Sequence, residues 1–221
     1  MHYEQIQQAI ENGARTLGLM PLSPEISTAL VDYLLLLQKW NEKINLTAVR
    51  SLPEMITHHI LDCLAVVPKL SVLFQKQGAS LNIADIGTGA GLPGLIIALI
   101  LPQVTVTCID AVEKKIAFVQ QAIGLMKLQN CTALAARVQD LDEQWDVLTC
   151  RAYASMADMI ATSGHLLREE GWIAAMKGPR LMKELAALPE GWHLLESVPL
   201  HVPGLNEERN LALVGRKQKL K

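Results

Sequence analysis

Aromatic side chains make up only 4% of this 221-residue chain, so whatever core it forms must be aliphatic. Cysteine is sparse as well. The four cysteines, Cys63, Cys108, Cys131 and Cys150, lie far apart, and the last three sit in apolar runs that read as strands. That excludes a disulfide framework and points to reduced core thiols of a cytosolic protein. The six histidines include one adjacent pair, His58 and His59, but no HxxxH or Cys/His spacing that converges on a metal, and no metal site is expected. No basic stretch followed by an apolar run and a small-residue cleavage site is found at the amino terminus, and the most apolar segment, Leu92–Leu101, is too short to span a bilayer. The expected location is therefore the cytoplasm, away from any membrane. Repeats and low-complexity tracts are missing too. A net charge of −2 argues against a whole-surface nucleic-acid binder but leaves room for a local basic face, to which the tail residues Arg216, Lys217, Lys219 and Lys221 would contribute.

What is present, with 50% hydrophobic and 19% charged residues, suffices for a sizeable globular core. It divides near residue 78. Residues 1–78 read as a helical extension: Ser23-Pro24-Glu25 is an N-cap and first turn, and Ile26, Leu30, Leu34 and Leu37 recur at helical spacing, which predicts a helix to about Lys43. Ser51, ahead of Pro53 and Glu54, opens a second helical stretch through Met55, His58, His59, Leu61, Asp62 and Leu64.

Residues 79–221 switch to short apolar runs alternating with amphipathic segments. Strands are expected at Leu81–Ile86, Val104–Ile109, Thr132–Ala135, Val147–Cys150 and Trp172–Met176, and helices at Leu92–Leu101, Glu113–Met126, Met156–Leu167 and Leu181–Leu188. Strict alternation needs crossover connections, which build an α/β fold on a mostly parallel sheet. His193–His201 and Asn210–Gly215, on either side of a turn containing Pro203 and Gly204, read as an antiparallel hairpin at the sheet edge.

The chemistry-bearing segment runs from Asp85 to Gly94, where the first of these strands should end and the first crossover helix begin. Gly87, Gly89 and Gly91 at alternate positions let the main chain turn tightly and admit a ligand against bare backbone. Gly89-x-Gly91-x-x-Gly94 also matches the dinucleotide fingerprint literally. Asp85 weighs against that reading, because a carboxylate two residues before the first glycine repels a pyrophosphate and suits a ligand carrying an ammonium and a sulfonium. S-adenosylmethionine carries both. The next strand ends in Asp110, about twenty residues on as the fingerprint expects, where a carboxylate can accept both ribose hydroxyls. The alternative for Asp110 is a helix cap, since Glu113 follows three residues later.

Together, Trp40-Asn41-Glu42-Lys43-Ile44-Asn45-Leu46-Thr47, His59-Ile60-Leu61-Asp62, the loop from Asp85 to Gly94, and Cys150-Arg151-Ala152-Tyr153-Ala154-Ser155 resemble the bacterial ribosomal small-subunit methyltransferase G family (RsmG, also called GidB). The likeness covers most of the chain. It implies a Rossmann-like, class I S-adenosylmethionine-dependent core with an amino-terminal helical extension, methylating N7 of one guanine in 16S rRNA of the 30S subunit or its assembly intermediate. By that resemblance Gly87 and Leu92 line the methionine and ribose side of the cofactor, Val138 and Gln139 contact the adenine, and Arg151 approaches both cofactor and reacting atoms from the end of the fourth strand. Two positions depart from the family's habit: Gln139 stands where an acidic residue is common, and Ala111 where a serine is.

N7 of guanine has an in-plane lone pair and no proton to lose, so catalysis should be mostly positioning. That agrees with a sequence showing no Ser/His/Asp, Cys/His or paired-carboxylate constellation near the loop. Arg137, Arg151 and Lys177, near the carboxyl ends of strands, are the basic residues placed to meet RNA, against the alternative of surface salt bridges. Asn45, with Asn41, Lys43 and Arg50, forms either a turn or an RNA contact, and Trp40 reads as a packing anchor between extension and core. No heptad seam or long apolar edge demands a dimer, so a monomer is expected.

Overall fold

A computed structural model describes residues 1–19, 21–77 and 80–216. The expected division at 78/79 and the tail lysines Lys217, Lys219 and Lys221 lie outside the described residues. Among the described residues seven strands form one sheet: β1 (Asn82–Ile86), β2 (Thr105–Asp110), β3 (Cys131–Ala135), β4 (Trp145–Arg151), β5 (Leu167–Lys177), β6 (Trp192–Leu200) and β7 (Arg209–Arg216). Their spatial order is β3-β2-β1-β4-β5-β7-β6. The first five run parallel; β7 pairs antiparallel with both β5 and the edge strand β6, so the late hairpin sits where the alternation of apolar runs placed it. Order reverses between β1 and β4, and ligands of open α/β sheets bind at the carboxyl ends of strands flanking such a switch.

Successive residues of the strands serve opposite faces, as the twofold repeat of an extended chain requires. Ile83, Val147, Trp172 and Ala174 join one core, and Ala84, Leu148, Ile173 and Ala175 the other. Helix α8 (Met156–Ser163) supplies Met156, Met159 and Ile160 to the second face. The first face carries α6 (Gly94–Ile100), α7 (Glu113–Leu125) and all the amino-terminal helices: α1 (Tyr3–Thr16), α2 (Pro24–Asn41), α3 (Leu52–Met55), α4 (Asp62–Leu64) and α5 (Val67–Gln77). Residues 1–77 thus share a continuous apolar core with the sheet. Ser23 caps α2 as expected, its hydroxyl accepting from Ile26 N. Trp40 is the anchor foreseen: its indole N–H donates to Gln121 on α7 and its ring meets Phe118 edge-on.

Three features were not anticipated. Helix α1 buries Ile6, Ile10 and Ala14 on one stripe yet is otherwise polar, which hid it. Strand β5 begins at Leu167, five residues before the expected Trp172, because its polar opening Arg168-Glu169-Glu170 is exposed while Leu167 still pairs with Trp145 across a bulge. Between α3 and α4 the chain winds as a π-helix, Ile56–Leu61. The 25-residue stretch Leu52–Lys76 contains an 18-residue window of mean hydropathy 1.3, as long and apolar as a spanning helix, unlike the shorter Leu92–Leu101; 56% of that window is buried inside the fold.

Candidate functional site

The turn after β1 is organised by two carboxylates. Asp85, fully buried, accepts through Oδ2 from Thr88 Oγ1 at 2.5 Å and from Gly94 N at 2.9 Å, while its Oδ1 is buried with no hydrogen bond. Burial pushes this carboxyl up to about 6, against the lowering effect of those two donors. Asp110, at the tip of β2, accepts from Gly89 N at 3.1 Å and Val112 N at 2.9 Å and is paired to Lys115 at 3.3 Å. It therefore both pins the glycine turn and holds the backbone leading into α7. A third brace comes from the extension: Tyr33, fully buried on α2, donates to Ala90 O at 2.7 Å.

Gly87, Gly89 and Gly91 all have φ between 58 and 80°, the left-handed region that favours glycine. At Gly87 a Cβ would lie 2.4 Å from the Tyr153 ring, so only bare backbone fits there. Next to it opens a cavity of about 390 Å³ lined by Gly87, Asp110, Lys115, Arg137, Val138, Gln139, Ala152 and Tyr153 among others. Val138 is buried in its wall and Gln139 exposed at its rim, both on the 3-10 turn Val138–Asp140. A nucleoside with a positively charged tail fits this donor and acceptor set: carboxylate at the sugar end, exposed amide at the far wall, unpartnered buried carboxylate oxygen behind the turn. Leu92 is buried under that turn.

Ala152 and Tyr153 also line a second cleft of about 400 Å³, with Asp62, Arg151, Met176, Lys177, Gly178, Pro179, Arg180, Glu184 and Arg209. Its floor is a set of matched charges. Arg151, leaving β4, donates to His58 O at 2.6 Å and Asp62 Oδ2 at 3.2 Å. Arg209, entering β7, has its Nε 3.4 Å from the other oxygen of Asp62. Lys177, at the end of β5, donates to Ala154 O and pairs with Glu184 of helix α9 (Leu181–Ala186), both at 2.8 Å. Arg180 is exposed at the mouth.

The expected residues thus fall into two joined groups. Gly87, Asp110, Val138 and Gln139 line the first cavity, with Asp85, Gly89, Gly91 and Leu92 in the turn beside it but not in its lining; Arg151 and Lys177 line the second cleft. Arg137 is exposed at the first cavity rather than the second. Asn45 stands apart, exposed, its Oδ1 accepting from Arg50 at 2.9 Å, while its neighbour Asn41 is the buried member that shapes the turn. His58 and His59 point to different partners, Glu54 O and Thr47, as adjacent helical residues should. Sequence reasoning passed over Tyr33, Asp62, Glu184 and Arg209 as site residues. Asp62 lay inside a quoted motif and so had a signal; Arg209, in a Glu-Glu-Arg-Asn turn, had none.

A family profile described as rRNA small subunit methyltransferase G matches residues 26–212. Over 210 residues the chain is 45% identical to the ribosomal RNA small subunit methyltransferase G of Acidovorax ebreus (strain TPSY), covering 92% of each. It is 41% identical over 208 residues to the protein of that name from Ralstonia nicotianae, covering 93% of each. Among solved structures, TrmN from Thermus thermophilus is similar at 20% identity and a TM-score of 0.55, over 70% of this chain and 48% of that one, so this chain spans about half its length. A Burkholderia thailandensis 1,6-didemethyltoxoflavin-N1-methyltransferase, solved with S-adenosylhomocysteine, is similar at 16% identity and a TM-score of 0.51, over 70% of this chain and 79% of that one. At such identities the likeness is one of fold.

Proposed function

The chain belongs to the rRNA small subunit methyltransferase G family and is an S-adenosylmethionine-dependent rRNA methyltransferase, and from that premise we propose that its acceptor is N7 of one guanine of 16S rRNA, brought into the cleft beside Arg151 and Tyr153. The cofactor supplies an electrophilic methyl group on a sulfonium. Gly87, Gly89 and Gly91 admit its methionine portion, Asp85 lends negative charge behind it, Asp110 accepts from its ribose, and Val138 and Gln139 face its adenine. Arg151, in the second cleft next to the shared Ala152 and Tyr153, would serve cofactor and acceptor alike. Arg137 and Lys177 were the expected RNA contacts with Asn45; exposed Arg137 and Arg180 are better disposed for phosphates than Lys177, whose ammonium is already engaged by Glu184.

One observation carries the choice of N7. The two carboxylates among the described residues lining the acceptor cleft are ion-paired, Asp62 with Arg151 through a hydrogen bond and with Arg209 by charge alone, Glu184 with Lys177, so each is held as a counter-ion to a buried or half-buried cation. An exocyclic amine or a ribose hydroxyl must shed a proton to be methylated; N7 need not. The cleft supports an acceptor that asks only to be held in line. The protein is proposed to act as a monomer and in the cytoplasm, the location being supported by four free, buried cysteines whose burial keeps Cys63 and Cys150 protonated, their thiols pushed up to about 12.

The test is transfer of label from S-adenosylmethionine to small subunits lacking the modification, in parallel with naked 16S rRNA and assembly intermediates, followed by mapping of the modified nucleotide. Strand scission chemistry selective for N7-methylguanosine should locate a single site. Label on an exocyclic amine or on ribose would sink the N7 assignment.

A further inference from the structure

Arg151 is held by the helical extension, through a chain of contacts that neither cavity requires. Both terminal nitrogens of its guanidinium face His59 Nδ1, at 3.4 and 3.5 Å, beside the bonds to His58 O and Asp62. A guanidinium offers only donors, so Nδ1 must present its lone pair and the imidazole proton resides on Nε2. That nitrogen lies 2.8 Å from Thr47 Oγ1. Thr47 is in turn fixed: its hydroxyl oxygen accepts from Val49 N, its backbone N–H donates to Asn41 Oδ1, and its carbonyl accepts from Asn41 Nδ2. Asn41 and His59 are both buried, at 4% and 5% exposure. His59 belongs to the π-helical segment, and such irregular turns are frequent at functional sites.

We propose that His59 is a positioning residue for Arg151, with Thr47 fixing its tautomer, so that the extension sets the direction from which Arg151 meets the acceptor. The proposal rests on Arg151 being an acceptor-side group. A neutral imidazole is suited to the task because it accepts from the guanidinium without cancelling its charge, whereas Asp62 neutralises it. Orientation and charge are thereby set by separate residues.

The experiment measures methyl transfer to small subunits lacking the modification, calorimetric binding of S-adenosylmethionine, and thermal unfolding, on the full chain. Arg151→Ala is the reference. His59→Leu is expected to lower kcat about tenfold, because Arg151 loses a contact that aims it at the acceptor, while the cofactor Kd stays within about twofold. His59→Asn, whose Oδ1 takes the place of Nδ1, should recover most of that loss. Thr47→Val should lower kcat severalfold and Thr47→Ser restore the greater part. A residue that only stabilises the fold would lower the melting temperature alike in His59→Leu and His59→Asn without separating their kcat values. Native kcat in His59→Leu, or an Asn variant no better than Leu, overturns the proposal. Native turnover in Arg151→Ala removes the reading beneath it as well, whereas impaired turnover there with native turnover in His59→Leu removes the proposal alone. Should His59→Leu fail to fold, the Thr47 pair decides: equal kcat in Val and Ser variants overturns it.

Discussion

The proposed cofactor cavity is bordered by a turn whose shape comes from main chain in one short stretch of sequence, whereas the proposed acceptor cleft takes its shape from side chains delivered by α4, β4, β5, α9 and β7. The two meet at Ala152 and Tyr153. Around the glycine turn, the carboxylates of Asp85 and Asp110 act chiefly on backbone N–H groups. In the cleft, Asp62 and Glu184 act on guanidinium and ammonium groups. A site made of exposed backbone should fail when atoms are added to it, and a site made of matched charges when a charge is taken away.

The largest expected effect is on the backbone-built side. Gly87→Arg combines a φ of +65° with a Cβ 2.4 Å from Tyr153, and should leave no cofactor binding detectable by calorimetry while the circular dichroism spectrum stays native. Gly89→Ala sharpens the point. It has a similar φ of +58° but open space around the new methyl, so it should incur only backbone strain of about 1 kcal/mol and weaken binding by roughly tenfold at most. Equal losses in the two variants would mean that strain, not the space taken by the ligand, governs this turn.

On the charge-built side, Glu184→Gln strips the counter-ion from Lys177, which is only 8% exposed. An unpaired buried charge of this kind costs about 3 kcal/mol, so the midpoint of urea unfolding should fall clearly while cofactor Kd stays unchanged. An unmoved midpoint would break the contrast between the two halves of the site.

The same contrast governs how much could be read in the sequence. The strands and crossover helices were visible because alternation and helical spacing are local patterns, and the glycine turn was visible because its chemistry lies within ten consecutive residues. β5 was shortened in the reading because Arg168, paired to Asp146, made its solvent-facing start look like a loop. Lys177 was placed correctly at a strand end, but its partner Glu184 is supplied by a helix whose docking no local pattern encodes. Arg209 and Asp62 are 147 positions apart, and nothing in either neighbourhood announces the other. His59 and Thr47 were quoted within motifs, yet their link depends on the π turn, which leaves no periodic trace.

Tyr33→Phe probes the seam between extension and cofactor turn. Losing the hydroxyl leaves Ala90 O without its buried donor, which should lower stability by about 1 kcal/mol and weaken S-adenosylmethionine binding by about threefold. Lower stability with unchanged binding would show that the extension supports the fold without shaping the cavity.

A dependence on pH is expected as well, and its sign differs between the two sides. Asp85 in the folded protein titrates at about 6, above the ordinary value of 3.8, because burial disfavours its charge. Such a raised carboxyl contributes stability that is present below about pH 4 and lost as pH rises through about 6. His59 titrates at about 4 instead of 6.5, through burial first and the charge of Arg151 second. Its contribution is intact above 6.5 and lost as pH falls towards 4, so the two groups oppose each other across the same window. Of the two, Asp85 is the one on the proposed cofactor side, and a ligand bearing ammonium and sulfonium favours the ionised carboxylate. Affinity for S-adenosylmethionine should therefore rise with pH through about 6 and level off above 7, being about tenfold weaker near pH 5 than near pH 7. Calorimetry across that range on native protein and Asp85→Asn provides the check, with the Asn variant expected to be flat. A native curve equally flat would mean that Asp85 organises the turn through Thr88 and Gly94 alone, leaving the cofactor side without any electrostatic role for its buried carboxylate.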